Sequence, residues 1–374
     1  MRILQVVTLL GRDGAYGGPA RVALNQGLEL IGRGHDVTVV GATRSNGDVP
    51  SELNGVPVKL FAARRVLPRT GFAGIAAPGL GRWLSSNWAD FDVTHIHFGR
   101  DLVVLPVAAA ARRRGLPYVM QTHGMVVPSD HPLAAPLDAV CTRRVLRAAR
   151  AVFYLNATER EQLTAVAGAG LSLVELENGV PCYAAAAPRP GRPEVLFAAR
   201  MHARKRPVAF VDMAKKLLEA GVDAKFTLIG HDEGEGPALR AALRGEQHIT
   251  WEGALSLDEI PARLAAAQVY VLPSVGEPHP MSVLEAMSVG LPVVVTDDCG
   301  LAPLVERSGC GIVTAPTVSA LVAAVGSILA DRTRARSMGE RGRRTVHTQF
   351  GMREIGDRLM QTYTHVADGH RCVQ

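Results

Sequence analysis

The chain of 374 residues predicts two domains, because a single domain usually holds about 100–200 residues. Hydrophobic residues make up 47% of it and charged residues 20%, which is typical of a globular protein and argues against a disordered, fibrous or coiled-coil chain. A formal net charge of +6 allows an anionic partner such as a nucleotide, an acidic lipid or a nucleic acid. The charge alone selects none of the three.

Five widely spaced cysteines without a CxxC pair predict neither a disulfide framework nor a zinc ribbon, and they favour a reducing cytoplasm. The apolar run at residues 3–10 lacks a small-residue cleavage site, so we interpret it as a buried strand and not as a signal peptide. No stretch approaches the roughly 20 apolar residues that a membrane span needs. A cytoplasmic protein is expected, with any membrane contact made peripherally at the inner face.

Apolar strands alternate with Ala-, Leu- and Arg-rich helical stretches along the chain, which predicts an α/β fold with parallel sheets covered on both faces. Residues 1–42 have the pattern of strand, glycine loop, helix and strand. In that first helix Val22, Leu24, Leu28 and Ile31 recur at roughly helical spacing. Further strands of the first half are predicted at 92–98, 116–123 and 150–155.

The interdomain linker is placed at 184–193, where three prolines and a glycine within six residues disfavour both helix and strand. We therefore predict a first domain at 1–186, a second at 193–349, and a C-terminal helix at 350–374 that packs back. The second half repeats the strand and helix alternation, with strands in EVLFAAR, AKFTLIGH, HITWEGA, VYVLPS and LPVVVTD. Doubly wound sheets bind ligands at the carboxyl ends of their strands, and two that face each other form a cleft.

The strongest local signal is the segment at 276–290, GEPHPMSVLEAMSVG, directly after an apolar strand. Its first glutamate, Glu277, lies in the loop and its second, Glu285, inside the following helix. Free amides are expected where that helix begins, and they form an anion site with the helix dipole behind it, at Met281, Ser282 and Val283. Taken by themselves, the two glutamates are better explained as an acid in a loop and an acid on a solvated helix face than as ligand-binding residues.

In its context, this segment resembles the glutamate motif of the retaining glycosyltransferases of family 4, which have the two-domain GT-B fold of two Rossmann-like domains. Other motifs occur in the order of that family: Gly17-Gly18, Arg33-Gly34-His35, His95-x-His97, Thr122-His123-Gly124, Asn178-Gly179-Val180, Arg200 with Lys205, and Gly234-x-Gly236-Pro237. The resemblance covers nearly the whole chain. Two positions depart from the family pattern, since His279-Pro280 replaces a frequent Phe-Gly and Pro181 replaces a frequent Asp.

The resemblance implies an enzyme of polysaccharide or glycoconjugate biosynthesis. It implies transfer of a sugar, with retention, from a nucleoside diphosphate donor such as a UDP-sugar. The acceptor is then a hydroxyl of a glycan, a lipid-linked molecule or a small molecule, and neither a metal nor another cofactor is needed. The replacement at His279-Pro280 is expected to reshape the pocket around the transferred sugar.

The resemblance also assigns roles to single residues. Arg200 and Lys205 follow the first strand of the second domain and are expected to bind the diphosphate, whose leaving charge a guanidinium and an ammonium stabilise. The alternative is a solvated basic loop. Glu277 is expected to orient the sugar hydroxyls, Glu285 to bind the ribose, and His123 to face the reacting sugar, with a buried structural histidine as the alternative.

The glycine loop before the first helix is a weaker candidate. Gly17-Gly18 stands before Pro19 at the helix start, so that its backbone amides can approach the diphosphate closely. The loop lacks the Gly-Lys-Ser/Thr of a Walker loop. A plain flexible turn is the alternative explanation.

Two other enzyme classes stay open. His95 and His97 share one face of a strand, and with His123 they could serve a metal-dependent hydrolase, although no carboxylate cluster accompanies them. A nucleotide-sugar epimerase or hydrolase of the same fold is the second alternative.

An arginine stripe, Arg143, Arg147 and Arg150, is predicted on one helix face. It is explained either as a solvated face or as a contact with an anionic membrane, where lipid-linked acceptors reside. No recognition motif or aromatic interleaving supports binding to nucleic acid.

Overall fold

The computed structural model describes residues 1–11, 18–44, 49–67, 70–186 and 191–369, which form two compact units. The first unit holds the described residues up to 179 and those from 352 onward, and the second holds those from 180 to 351. The sequence places the linker at 184–193, whereas this division falls before Val180. The Val180 amide donates to the Phe350 carbonyl oxygen at 2.9 Å, so both ends of the second unit lie side by side.

The first unit is built around a mostly parallel sheet. Its strands are β1 (Arg2–Leu9), β2 (Asp36–Thr43), β3 (Glu52–Leu53), β4 (Val56–Ala62), β5 (Arg64–Arg65), β6 (Ile75–Ala76), β7 (Val93–His97), β8 (Tyr118–Gln121), β9 (Ala151–Tyr154) and β10 (Leu173–Glu175). Its helices before the linker are α1 (Gly18–Gly32), α2 (Pro78–Asn87), α3 (Val104–Arg113), α4 (Ala134–Leu137), α5 (Arg143–Ala148) and α6 (Ala157–Ala167).

Eight of these strands form one sheet in the order β10-β9-β8-β7-β1-β2-β4-β3. The pairs are parallel except for β3 with β4, and β5 and β6 form a separate antiparallel ribbon. The strands predicted at 92–98, 116–123 and 150–155 are confirmed with shorter bounds. The four strands between 52 and 76 were not predicted, because three of them are two residues long and carry no periodic pattern.

One face of this sheet changes from apolar to polar along the strands. Toward the amino ends it carries buried apolar side chains: Ile3, Val93, Val119 and Phe153. Toward the carboxyl ends the paired residues are Gln5 with His95 and His97 with Gln121. All four of these polar side chains are buried. The apolar part fixes the sheet to its covering helices, and the polar part lies where a ligand is expected.

The second unit repeats the architecture with a parallel sheet. Its strands are β11 (Glu194–Ala198), β12 (Lys225–Ile229), β13 (Ile249–Trp251), β14 (Val269–Leu272), β15 (Val293–Thr296) and β16 (Gly311–Thr314). Its helices are α7 (Pro207–Glu219), α8 (Gly236–Ala242), α9 (Glu259–Ala265), α10 (Met281–Ser288), α11 (Ala302–Ser308), α12 (Val318–Ala330) and α13 (Arg332–Gln349).

The strand order of the second unit is β13-β12-β11-β14-β15-β16. When the six strands are numbered 1 to 6 along the chain, this is the doubly wound order 3-2-1-4-5-6. The order reverses direction between β11 and β14. Helices connecting successive strands then leave to opposite faces and open a crevice at the carboxyl ends of these two strands. The topology therefore predicts a ligand site of this unit at that crevice.

The last helix, α14 (Met352–Ala367), belongs to the first unit. Its buried residues Ile355, Leu359, Tyr363 and Val366 recur three or four positions apart, which places them on one side of the helix. They pack with Ile3 and the neighbouring apolar residues of the sheet face. The chain thus returns to its first unit and covers the core there.

A group of ion pairs joins strands of the second sheet to α9. Arg263 on α9 donates to Glu194 on β11 at 2.7 and 3.0 Å and to Glu252 after β13 at 2.9 and 3.1 Å. The hydroxyl of Thr227 on β12 also donates to Glu194, at 2.6 Å. Arg263 therefore connects α9 with β11 and with the residue after β13, and Lys225 on β12 pairs with the same two carboxylates at 3.4 and 4.0 Å.

Replacing Arg263 by Met is expected to lower the free energy of unfolding of the second unit by about 2 kcal/mol, because partly buried carboxylates lose the closer of their two shared partners. The loss depends on pH. Burial alone raises the pKa of Glu194, but hydrogen bonds from Arg263 and Thr227 outweigh it, so that this pKa lies below its ordinary value. The pair therefore stabilises the fold above the ordinary glutamate pKa, and its contribution disappears as the pH falls through the lowered pKa.

Urea unfolding of wild type and Arg263→Met at about pH 7 and about pH 3 measures this effect. The difference between the two proteins should shrink at the lower pH. Arg336→Met is the control, since it breaks an exposed pair with Glu340 and should change little. An equal difference at both pH values would contradict the assignment.

Candidate functional site

The candidate site of the second unit lies at the point where the strand order reverses. β11 leads into Arg200 and a short 3₁₀ turn, Ala203–Lys205, before α7 begins. β14, its neighbour in the sheet, leads into the loop that carries Glu277 and then into α10. The structure therefore brings the predicted cations and the glutamate motif to the carboxyl ends of two adjacent strands.

Lys205 and Glu277 form an ion pair with each other. Their side chains are only 12% and 16% exposed. Burial lowers the pKa of Lys205, and the positive charges of Arg200 and Arg204 lower it further. The attraction of Glu277 opposes this shift. Lys205 is thus one of several cations crowded into a partly dry site, which is an arrangement suited to an anionic ligand.

Arg200 has a carboxylate partner that sequence reasoning missed. Its Nη1 atom contacts both carboxylate oxygens of Glu233, at 2.7 and 2.5 Å. Glu233 follows β12, the strand next to β11. The sequence signal for this partner was therefore a carboxylate placed after the carboxyl end of a strand. The loops meet closely at Gly230, where a Cβ atom would lie 1.9 Å from the Ala199 carbonyl oxygen.

The first turn of α10 differs in one detail from the expectation. The helix begins at Met281 as predicted, but the amide of Val283 donates to the Pro280 carbonyl oxygen at 3.1 Å and is therefore not free. The first turn is tightened to an i to i+3 bond, which the sequence did not reveal. The amides of Met281 and Ser282 remain the candidates for the anion site.

Glu285 on α10 is only 3% exposed, which excludes the interpretation as a solvated helix acid. The buried Tyr270 on β14 lies near both glutamates of the motif. Burial raises the pKa of this phenol first, and the charges of Glu285 and Glu277 raise it further. The hydroxyl of Tyr270 also forms a hydrogen bond with the Ser282 hydroxyl at 2.7 Å, which ties the start of α10 to the sheet. One tyrosine thus connects the strand with the helix start, and the charges of both carboxylates act on it.

The loop after β15 supports the backbone of Glu277. The Gly300 amide donates to the Glu277 carbonyl oxygen at 2.8 Å. A Cβ atom at Gly300 would lie 1.9 Å from the Pro278 carbonyl oxygen, so this contact requires glycine. Neighbouring Cys299 is buried, which raises the pKa of its thiol to about 11 and argues against a nucleophilic role.

The histidines of the first unit form a column of rings. His95 and His97 are stacked with their centroids 4.5 Å apart, and His97 and His123 with theirs 5.1 Å apart. His97 Nδ1 lies 2.8 Å from His123 Nε2, while His95 Nδ1 lies 2.6 Å from the Tyr363 hydroxyl. Burial lowers the pKa of His95 to about 3 and that of His97 well below its ordinary value, so both rings are neutral near pH 7.

This column does not favour the metal-dependent hydrolase. The ring nitrogens of His97 and His123 face each other at hydrogen-bonding distance instead of converging on one point. Within the described ranges, no group of three or more His, Cys, Asp or Glu side chains is placed to hold a metal ion. His95 and His97 do share one strand face, as the sequence indicates.

The glycine loop can be placed only in part. Gly17 lies outside the described residues, and Gly18 is the first residue of α1. The predicted role of the two glycines therefore stays a prediction.

The arginine stripe of the first unit has a structural use. Arg143 and Arg147 donate through Nε to the carbonyl oxygens of Val166 and Ala167 at the end of α6, at 2.7 and 2.8 Å. Arg150 does not share their helix face, because α5 ends at Ala148 and Arg150 precedes β9. No helix in the described part of the chain is long and apolar enough to cross a membrane. Peripheral membrane contact stays a prediction.

Comparison with known proteins agrees with this geometry. Residues 184–345 match the family described as glycosyl transferases group 1, and residues 17–179 match a glycosyl transferase 4-like domain. An alpha-D-kanosaminyltransferase from Streptomyces kanamyceticus is 26% identical, over 90% of this chain and 97% of its own. Among solved structures, sucrose-phosphate synthase from Thermosynechococcus elongatus aligns with a TM-score of 0.77 at 19% identity, over 99% of this chain and 100% of its own.

A second solved structure, Anabaena HepE in complex with UDP and glucose, aligns with a TM-score of 0.74 at 17% identity, over 97% of this chain and 99% of its own. The two matched family regions leave only short segments of the chain outside them. The chain belongs to the group 1 glycosyltransferases with the GT-B fold. It is an enzyme that transfers sugars.

The pair of Arg200 and Glu233 generates a prediction about ligand affinity. Glu233→Gln is expected to tighten binding of UDP about fivefold, because a diphosphate then no longer competes with a carboxylate for Arg200, and such a partly exposed pair is worth about 1 kcal/mol. Isothermal titration at constant ionic strength measures this affinity.

Glu235→Gln is the matched control, since Glu235 lies in the same loop and pairs with no described basic side chain. Its affinity for UDP should equal that of wild type. Weaker binding by Glu233→Gln would show instead that Glu233 supports the bound conformation of Arg200.

Proposed function

We propose that this glycosyltransferase moves a sugar from a nucleoside diphosphate sugar to an acceptor hydroxyl, with retention of configuration and without a metal ion. The observation that carries the proposal is the charge arrangement at the reversal point of the second sheet. Lys205 pairs with Glu277, whose loop leads into α10, and Arg200 is near enough to Lys205 to act on its charge. A nucleoside diphosphate supplies the anion that such a site fits.

The donor is assigned to named groups. Arg200, Lys205 and the amides of Met281 and Ser282 bind the diphosphate, and buried Glu285 accepts hydrogen bonds from the ribose hydroxyls. UDP is the first nucleotide to test, since Anabaena HepE was solved with UDP and glucose. Gly17 and Gly18 approach the diphosphate through their amides in the same proposal.

Partner exchange connects binding to the reaction. In the structure the Glu277 carboxylate is paired with the Lys205 ammonium group. When a diphosphate oxygen takes the ammonium group, the Glu277 carboxylate becomes available to accept hydrogen bonds from the sugar hydroxyls. One ion pair thus links recognition of the leaving group to orientation of the transferred sugar.

The chemical step follows from these assignments. The bond between the anomeric carbon and the diphosphate oxygen breaks, and the acceptor oxygen forms a new bond to the same face of that carbon. The acceptor proton passes to the leaving diphosphate oxygen. Arg200 and Lys205 stabilise the charge that develops there, so the step needs no metal ion. Retention and the contact of His123 with the reacting sugar rest on the resemblance to family 4.

The acceptor is a hydroxyl of a glycan, a lipid-linked molecule or a small molecule. Similarity to an alpha-D-kanosaminyltransferase supports transfer of a sugar, and the acceptor class rests on the resemblance to family 4.

Incubation of the purified protein with a panel of UDP- and GDP-sugars tests the class, in the presence and absence of EDTA. We expect one donor to bind and to be consumed at the same rate with the chelator. Absence of both binding and donor turnover across the panel would refute the proposal. Turnover to an epimer or to free sugar alone, with no acceptor able to capture the sugar, would favour the alternative epimerase or hydrolase.

Removal of the two cations should abolish most of the activity without unfolding the protein. Arg200→Ala with Lys205→Ala is expected to lower turnover by at least about 10²–10³-fold, because the leaving charge loses its preorganised partners. Steady-state kinetics with circular dichroism as the folding check measures this. Lys216→Ala, at an exposed position on α7, is the control and should behave like wild type. Near wild-type turnover in the folded double variant would place the diphosphate elsewhere.

A further inference from the structure

The backbone of His123 adopts a conformation that needs support. Its φ angle is +52°, in the left-handed region, which is unfavourable for a residue with a Cβ atom. His123 stands between Thr122 and Gly124 in the loop that follows β8. Something outside this loop must therefore hold it in place.

Glu159 holds the loop from both sides of His123. Its Oε1 atom accepts from the Thr122 hydroxyl and from the Gly124 amide, each at 2.5 Å. Its Oε2 atom accepts from the Leu155 amide at 2.7 Å. The side chain is buried, with the residue only 3% exposed. A single carboxylate thus accepts hydrogen bonds from the residue before His123, from the residue after it, and from the end of the next strand.

The position of Glu159 is itself fixed by local structure. Asn156 caps α6 by accepting from the Glu159 amide at 2.9 Å, so Glu159 lies in the first turn of this helix. A carboxylate there is stabilised by the helix dipole. The sequence signal is Asn156-x-x-Glu159 directly after the strand β9, which has the spacing of a capping pair at a helix start.

The ring of His123 is held as well as its backbone. His123 Nε2 lies 2.8 Å from His97 Nδ1, and His97 Nε2 lies 3.3 Å from the Gln5 side-chain oxygen. When His97 donates its Nε2 proton to Gln5, its Nδ1 accepts from His123. The ring orientation of His123 therefore depends on a backbone that keeps Nε2 within reach of His97.

We propose that Glu159 is a positioning residue, which fixes the left-handed backbone of His123 and through it the direction of the imidazole at the carboxyl end of β8. The inference rests on the proposed function, in which His123 touches the transferred sugar. Without the carboxylate, the loop relaxes toward an ordinary φ angle and the ring leaves His97. A displacement of about 1 Å is enough to cost about a hundredfold in rate.

Glutamine cannot replace this carboxylate. Three donors converge on two oxygen atoms. In Glu159→Gln one of the two oxygens becomes an NH₂ group, so at least one backbone amide faces another donor. The substitution keeps the size of the side chain and removes the function assigned to it.

The experiment compares Glu159→Gln with Glu161→Gln, which removes the same charge at an exposed position of α6. Turnover, affinity for UDP and the ¹⁵N NMR signals of the His97 and His123 rings are measured for both variants. We expect Glu159→Gln to lower kcat about tenfold to a hundredfold, to leave UDP affinity within about twofold, and to change both ring signals. Glu161→Gln should match wild type in all three. Thr122→Val, which loses one of the three bonds, should show a smaller change in the same direction and replaces Glu159→Gln if that variant does not fold.

The His123→Ala background separates this inference from the proposed function. There Glu159→Gln should cause no further loss of kcat, because it acts through His123. An equal loss in both backgrounds, or unchanged ring signals in Glu159→Gln, would overturn the positioning role. Full turnover in His123→Ala would refute the role of His123 in the reaction, and the ring signals would then decide the positioning role by themselves.

Discussion

The charge balance at the reversal point of the second sheet is the constraint on which the site depends. Lys205 is largely buried beside other cations, and a buried ammonium group needs a carboxylate or another anion close to it. Glu277 supplies that anion in the structure, as Glu233 does for Arg200. A diphosphate can replace both carboxylates, since it offers charge and hydrogen-bond acceptors at the same place. In the proposed function, the groups that bind phosphate are therefore held as ion pairs, and binding of the anion releases two carboxylates.

In the first unit, the structure keeps polar rings ordered at the carboxyl ends of the strands. Its sheet face is apolar where α14 covers it and polar toward the carboxyl ends. Neutral histidines stack there because burial disfavours their charged forms. The carboxylate of Glu159 and the stack with His97 then hold His123 from its backbone and from its ring.

Much of the fold could be predicted from the sequence, because its strands and helices show the alternation and spacing of an α/β protein. The sequence also showed that the motif of Glu277 and Glu285 follows a strand. What the sequence could not show was pairing across the sheet. Glu233 follows a strand and Glu159 follows a capping asparagine, but only the adjacency of β12 with β11 and of β9 with β8 brings them to Arg200 and His123. The occupied amide of Val283 likewise depends on the geometry of a single turn.

A crystal structure of the protein with UDP is the most direct test of the central claim that Arg200 and Lys205 form the diphosphate site. The account predicts phosphate oxygens within about 3 Å of both side chains, with the ion pairs to Glu233 and Glu277 broken. A diphosphate bound elsewhere, with both ion pairs intact, would contradict it.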